Sequence, residues 1–421
     1  MEGREVHPMV EGRKKKIQED KRVMSRRDFL KSTGAGMAAV WLSAEDLNRS
    51  GQGEGNGRPE KRKFVWRTLG KTGIRLPVIT MGVMNCDNPN LVRAALDAGM
   101  VHLDTAHGYQ RGRNEEIIGE VLKGRPRDSY VIATKVSLPR DNLTGLYRKG
   151  GTAEDFLSRV DISLKRLGLE YVDILYHHNV WKRESALFEP IWKAMEKVKK
   201  EGKTRFVGIS THRNEPEVIQ AAVDSKFYDI VLTSYNFRQN HKGQVKKAVA
   251  KAAAAGLGVV GMKAIGGRRR GSQGNERAEA RAALKWVIQD PNVHTVIAGM
   301  TAFDQLDLNL EIMESPAPTG PDRAQLQRLA AEAGLFCQGC GVCMESCRQK
   351  LPLPELMRAY MYLYGYRNIA AAQELVLDLD LPSELCAECS SCSVRCLQGF
   401  PVSARVQDVA RLREAPVGFI A

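Results

Sequence analysis

Eight short apolar runs alternate with amphipathic helical patterns over residues 64–316. The runs are apolar on both faces, and together these features predict a parallel (β/α)8 barrel. Of the nine cysteines, all but Cys86 crowd into two clusters near the C-terminus, which predicts a second, smaller unit over residues 321–421. At 421 residues the chain exceeds what one core usually supports, so a second unit is expected on length alone.

The formal net charge of +14 raises nucleic-acid binding as a function class. The basic residues are dispersed, however. No interleaved aromatics accompany the two runs, Arg13-Lys14-Lys15-Lys16 and Arg268-Arg269-Arg270, which argues against that class. No apolar run reaches the ~20 residues that a membrane span needs.

Residues 1–63 are charged and Gly-rich, and they do not read as fold. One segment differs: Ser25-Arg26-Arg27-Asp28-Phe29-Leu30-Lys31 precedes a short apolar run, Gly34 to Ala44. Adjacent arginines before such a run fit a signal peptide; the alternative is a basic amphipathic helix with an incidental Arg pair. The stretch resembles a twin-arginine export signal, which implies the export machinery as a partner and a periplasmic location. Leu42 stands where a small residue is usual before cleavage, so the signal can remain as an anchor on the outer face of the membrane. Gln52 to Lys63 reads as a linker.

Thr68 to Ile74 reads as a hairpin with glycines at its turn. The strand candidates follow: Val78–Met81, Val101–Leu103, Tyr130–Thr134, Val172–Tyr176, Phe206–Ile209, Ile230–Leu232, Val259–Met262 and Thr295–Ala298. Helical patterns between them include Leu91–Ala98, Asn114–Leu122, Ala153–Leu167, Phe188–Lys200, Pro216–Asp224, Val245–Ala255 and Arg277–Gln289. Thr152, with Asp155 three residues on, is a helix start signal, and Gly99, Gly168 and Gly256 stand where helices end. The region Pro321–Ala333 and the spacer Leu353–Leu379 between the cysteine clusters are also helical in pattern. So is Val402–Leu412, which is expected to pack back on this unit.

Chemistry concentrates at the strand ends. Asp104 and Tyr109 follow the second strand, Lys135 ends the third, and His178 ends the fourth. In a parallel barrel all four reach the same face, on adjacent strands. A tyrosine with a reference pKa of ~10 is a weak acid near neutral pH, and a neighbouring ammonium favours its phenolate. Asp104 can hold Lys135, His178 can donate to a carbonyl oxygen as charge develops, and Tyr109 can then give the proton.

The Asp-Thr-Ala-x-x-Tyr motif, the strand-end lysine and the Asp-(x)4-His motif ending at His178 resemble the aldo/keto reductases. The resemblance covers roughly Arg67 to Glu314. It implies the catalytic tetrad Asp104, Tyr109, Lys135 and His178, with NAD(P)(H) as cofactor and a small carbonyl or alcohol as substrate. It also places the nicotinamide end of the cofactor at Ser210 and Thr211, the strand-seven loop at Met262 and Lys263, and the adenosine end at Gly299, Met300, Thr301, Gln305 and Asn309. The lysine and arginine that many members use on a 2′-phosphate are absent there. Arg268-Arg269-Arg270 is a candidate clamp for the pyrophosphate, since arginine forks suit phosphate; a solvated loop is the plain alternative.

The clusters are Cys337-x2-Cys340-x2-Cys343-x3-Cys347 and Cys386-x2-Cys389-x2-Cys392-x3-Cys396. This is bacterial ferredoxin spacing given twice, in which the fourth cysteine of each run reaches the other cluster. It predicts one [4Fe–4S] cluster on Cys337, Cys340, Cys343 and Cys396, and another on Cys386, Cys389, Cys392 and Cys347. Arg348 and Leu397 stand where a proline is usual, and two zinc sites are the alternative. The helical spacer resembles α-helical ferredoxin modules, which implies a redox partner protein at this unit. Tyr360, Tyr362, Tyr364 and Tyr366 read as packing residues, and Cys86 as a buried apolar one.

Three functions fit this sequence. The first is an oxidoreductase of the aldo/keto reductase type carrying two clusters. The second is an electron-transfer protein whose barrel is a docking scaffold. The third is a plain reductase stapled by its clusters.

Overall fold

The computed structural model describes residues 62–148, 151–267, 275–332, 334–386, 389 and 391–416. The twin-arginine segment and Arg268-Arg269-Arg270 lie outside the described residues. From Arg62 onward the chain belongs to one compact unit.

An antiparallel hairpin of β1 (Trp66–Thr68) and β2 (Arg75–Pro77) comes first. Eight strands then close a barrel: β3 (Ile79–Gly82), β4 (His102–Asp104), β5 (Val131–Val136), β6 (Val172–His177), β7 (Thr204–Thr211), β8 (Ile230–Ser234), β9 (Gly258–Met262) and β10 (Thr295–Gly299). Neighbours pair in parallel, and β10 returns to β3 with Val296 opposite Ile79. The helices between them are α1 (Pro89–Asp97), α2 (Arg113–Leu122), α3 (Ala153–Leu167), α4 (Glu189–Lys200), α5 (Glu215–Ser225), α6 (Lys242–Ala254) and α7 (Glu276–Ile288); α8 (Phe303–Glu314) follows β10. The Thr152 side chain accepts from the Asp155 N–H at 3.1 Å, and Gly168 ends α3 in the left-handed conformation, as the start and stop signals predict.

The first two strands start one residue later than their apolar runs. Asp104 is therefore the last residue of β4 and pairs with Ala133, rather than standing in a loop beyond the strand. Inside the barrel, Leu69, Ile74 and Leu76 from the hairpin pack against Ala133, Ile174, Ile230, Leu232 and Val260. Lys71 N–H donates to the Gly256 carbonyl just before β9 begins, so the hairpin plugs the end where the strands start. The opposite mouth, where they finish, is left for chemistry.

After α9 (Gly320–Ala331) the chain builds a cysteine-rich module from α10 (Leu353–Tyr364), α11 (Ile369–Leu377) and α12 (Val402–Ala410). Its small core gathers Leu353, Leu356, Met357, Val376, Val402, Val406 and Val409, and α12 does pack back on this unit. The Leu353–Leu379 spacer is two helices, not one. It breaks after Tyr364, and Arg367 takes a left-handed φ of 54°. A Cβ at Gly365 would meet Phe336 at 2.8 Å, so this break seats a side chain from outside the spacer.

The module lies across the barrel mouth and bonds to loops that follow five of its strands. Asn368 donates to Asn85 after β3 (3.0 Å), and Asn142 after β5 donates to the Asp378 carbonyl (3.2 Å). Asn236 after β8 donates to Gln338 (3.0 Å), and Gln338 donates to the Gly266 carbonyl after β9 (3.1 Å). Arg213 after β7 reaches Met344. Phe336 is wedged between Gly267 of the barrel and Gly365 of the module; a Cβ at Gly267 would approach its ring to 2.6 Å. A side chain at either glycine would expel the wedge.

Candidate active site

β4, β5 and β6 end side by side, and their register brings the predicted residues together. Lys135 Nζ donates to Asp104 Oδ1 at 2.5 Å, to the Thr105 carbonyl at 2.6 Å and to the Tyr109 hydroxyl at 3.2 Å. Lys135 and Asp104 side chains are each 1% exposed, so water does not screen their attraction. The Tyr109 and His178 rings stand edge to face with centroids 6.0 Å apart. The adjacent His177 turns away to the Tyr147 and Tyr228 hydroxyls. His107, also next to the motif, bonds the Ser163 hydroxyl at 3.1 Å and is a packing residue.

Burial dominates the electrostatics. It opposes the Lys135 ammonium, but Asp104 and Tyr109 outweigh it and hold the lysine above its ordinary value. It pushes the Asp104 carboxyl up against the pull of Lys135. The sequence argument expected Lys135 to lower the tyrosine; burial outweighs that effect, and the Tyr109 phenol is held above its usual value. Burial, with Lys135 and Arg140 nearby, drives His178 well below the usual histidine value, so it stays neutral.

Backbone strain collects at the same mouth. Gln110, Arg111, Asn179, Asn214 and Lys263 all carry φ between 51° and 60°, and all lie in loops that leave strand ends.

The residues expected to hold a dinucleotide divide into two groups. At the adenosine end, Gly299 and Thr301 are exposed, and Gln305 accepts the Thr301 N–H at 2.8 Å; Met300 and Asn309 are buried. At the nicotinamide end the surface is roofed. Ser210 is buried and accepts the Asn179 N–H at 2.8 Å, and the Thr211 hydroxyl donates to the Arg213 carbonyl at 2.8 Å. Met262 is packed inside the barrel, while Lys263 faces the module.

Between barrel and module a narrow cavity of ≈ 40 Å³ is lined by His212, Arg213, Ser234, Lys263, Glu355 and Arg358, among others. Burial and Arg358 depress Lys263 to about 8. Arg358 pairs with Glu355 one turn earlier on α10. Its field reaches Tyr109, His178 and His212. Sequence reasoning missed Ser234, Glu355 and Arg358. Nothing in the spacer's pattern shows which barrel residue its arginine will face.

The cysteines sort into two sets. Cys337 lies within electrostatic reach of Cys340, Cys343 and Cys396, and Cys386 within reach of Cys389, Cys392 and Cys347. Each set takes its fourth member from the other run. Among the described residues, no three His, Cys, Asp or Glu side chains converge tightly enough to hold a single ion. The Tyr360 and Tyr364 rings meet at a tilt of 45° and Tyr362 stacks on Tyr366, but Tyr364 and Tyr366 are exposed rather than packed; Cys86 is buried.

Comparison with known proteins agrees with this architecture. Residues 86–280 match the model of the aldo/keto reductase family, and residues 23–41 that of the twin-arginine translocation signal sequence. The chain is 28% identical over 332 residues to L-glyceraldehyde 3-phosphate reductase of Escherichia coli, covering 65% of this chain and 94% of that one. It is 34% identical over 164 residues to L-galactose dehydrogenase of Arabidopsis thaliana, covering 35% of this chain and 49% of the relative. A solved aldo-keto reductase from Bacillus halodurans, in its holo form, superposes with a TM-score of 0.53 at 24% identity. It covers 65% of this chain and 98% of its own, a likeness of fold. Among the described residues no helix is long and apolar enough to cross a membrane. An aldo/keto reductase family domain is thus detected over residues 86–280, behind a twin-arginine signal sequence, and the matches support an oxidoreductase enzyme.

Proposed function

We propose that the protein interconverts a carbonyl compound and its alcohol, with Tyr109 as the general acid and base. The observation that carries this reading is the buried bridge in which Lys135 Nζ reaches both Asp104 and Tyr109 while His178 faces Tyr109. NAD(P)(H), when bound, supplies or accepts the hydride. Asp104 fixes the lysine, and Lys135 stabilises the phenolate left after proton donation. Neutral His178 donates to the carbonyl oxygen as charge builds on it, in a site the module shields from water.

Two [4Fe–4S] clusters are the second part of the proposal, one on Cys337, Cys340, Cys343 and Cys396 and one on Cys386, Cys389, Cys392 and Cys347. When bound, such clusters pass single electrons. The grouping of thiols across the two runs supports this assignment. Anaerobically purified Cys396→Ser should lose about half its iron, and lose the same cluster signal as Cys340→Ser. If it instead loses the signal that Cys389→Ser loses, the crossed assignment is wrong.

The dinucleotide half fits unevenly. The adenosine end is open, but Phe336 and Gln338 cover Gly266 and Gly267. That cover favours a second reading, in which electrons enter from a partner protein at the module and the barrel serves as its scaffold. Titrating the anaerobic holoprotein with NADH and NADPH decides between them. Saturable binding supports the first reading, and no affinity for either supports the second. The signal sequence supports export; a periplasmic protein, or one tethered to the outer face by a retained signal, is our proposal for its location.

A further inference from the structure

We propose that the cavity between Lys263 and Arg358 binds the carboxylate of the substrate, so that the protein acts on small oxo acids or hydroxy acids. This substrate class rests on the carbonyl chemistry proposed above. Three cations (Arg213, Lys263 and Arg358) line the cavity, with the Glu355 carboxylate and the Cys337 thiol as its acidic groups. Of the five buried polar atoms there without a hydrogen-bond partner, four can donate (His212 Nδ1, Arg213 Nη1, Ser234 Oγ and Arg358 Nε), and the fifth, Glu355 Oε2, is in ion-pair contact with Arg358. Ser234 is 4% exposed, so its hydroxyl is out of reach of bulk solvent. Buried donors without acceptors are costly, and one small anion satisfies them.

Size narrows the ligand. At ≈ 40 Å³ the cavity takes roughly three water-sized groups, enough for a carboxylate. Position narrows it further. His212 lines the cavity, its ring is 6.3 Å from that of His178, and His178 is 6.0 Å from Tyr109. Neither Tyr109 nor His178 lines the cavity, so the ligand proposed is an oxo acid that keeps its carboxylate there and extends past His212 toward His178 and Tyr109. Arg358 comes from α10, so the module is part of the substrate site and sets its charge preference. Glu355 holds the arginine in the absence of an anion and competes with the ligand for it.

Equilibrium binding of pyruvate and of its neutral analogue pyruvamide to the anaerobic full-length holoprotein tests this without turnover. Pyruvate should bind more tightly than pyruvamide. Arg358→Gln should weaken pyruvate roughly ten- to a hundredfold, the range for a lost charge-assisted hydrogen bond, and Arg358→Lys should restore part of it. Glu355→Gln should tighten pyruvate severalfold, a direction that misfolding cannot mimic. Pyruvate affinity indifferent to both residues, or equal to that of pyruvamide, overturns the proposal. So does a site that takes inorganic pyrophosphate but not pyruvate. Arg358-dependent pyruvate binding without any pyruvate reduction would keep the anion site and reject the Tyr109 reading instead.

Discussion

Replacing Tyr109 by Phe should lower kcat by roughly a hundred- to ten-thousandfold, the usual contribution of a positioned general acid. The change removes one hydroxyl, which accepts from Lys135 at 3.2 Å, and leaves the ring facing His178. Substrate affinity should change much less, because the proton is needed only in the transition state. The pH dependence has a definite sign. Reduction needs the phenol, and burial holds its pKa above the usual value; activity should persist through neutral pH and fall only as strongly alkaline pH ionises Tyr109. Oxidation of the alcohol needs the phenolate and should rise over the same range. His178 is held well below 6.5, so neither direction should show a histidine inflection near neutrality. Steady-state kinetics of the variant and pH profiles in both directions check this. A Phe variant with undiminished turnover would remove Tyr109 from the chemistry and favour electron transfer through the module.

The largest effect on stability is expected from Asp104→Asn. Its carboxylate and the Lys135 ammonium are both 1% exposed, and the variant leaves the ammonium buried without its counter-charge. Breaking a buried pair from one side costs about 3–5 kcal/mol. Denaturant titration of the variant against the parent chain, with clusters intact, reads this difference. A loss below about 1 kcal/mol would mean that Lys135 finds another acceptor, the Thr105 carbonyl at 2.6 Å being the nearest.

The barrel is legible in the sequence because parallel strands buried on both faces leave unbroken apolar runs, and glycine marks the helix ends. The tetrad is legible for a related reason. Asp104, Lys135 and His178 interrupt such runs at equivalent points, where an apolar residue would otherwise stand. Choosing His178 over His177 depended on register, and only the structure shows His177 committed to Tyr147 and Tyr228. The module is a different case. Its cysteine spacing predicts a ligand chemistry but no position. Helical periodicity across residues 353–379 runs through the break after Tyr364, although Gly365 and the helix-capping Asn368 mark it; that Phe336 is seated there no local pattern shows. The roof over Gly266 and Gly267, and Arg358 above Tyr109, depend on tertiary docking, to which local pattern is blind.

The roof also gives the site a history within each molecule. Asn85 meets Asn368 across 283 residues, and barrel closure itself waits for β10 to pair with β3. In a growing chain all eight barrel strands therefore leave the ribosome before the residues that cover the mouth. The pocket acquires its charge and its ceiling only when the last quarter of the chain is made, so a truncated product would carry the tetrad without the chamber that uses it.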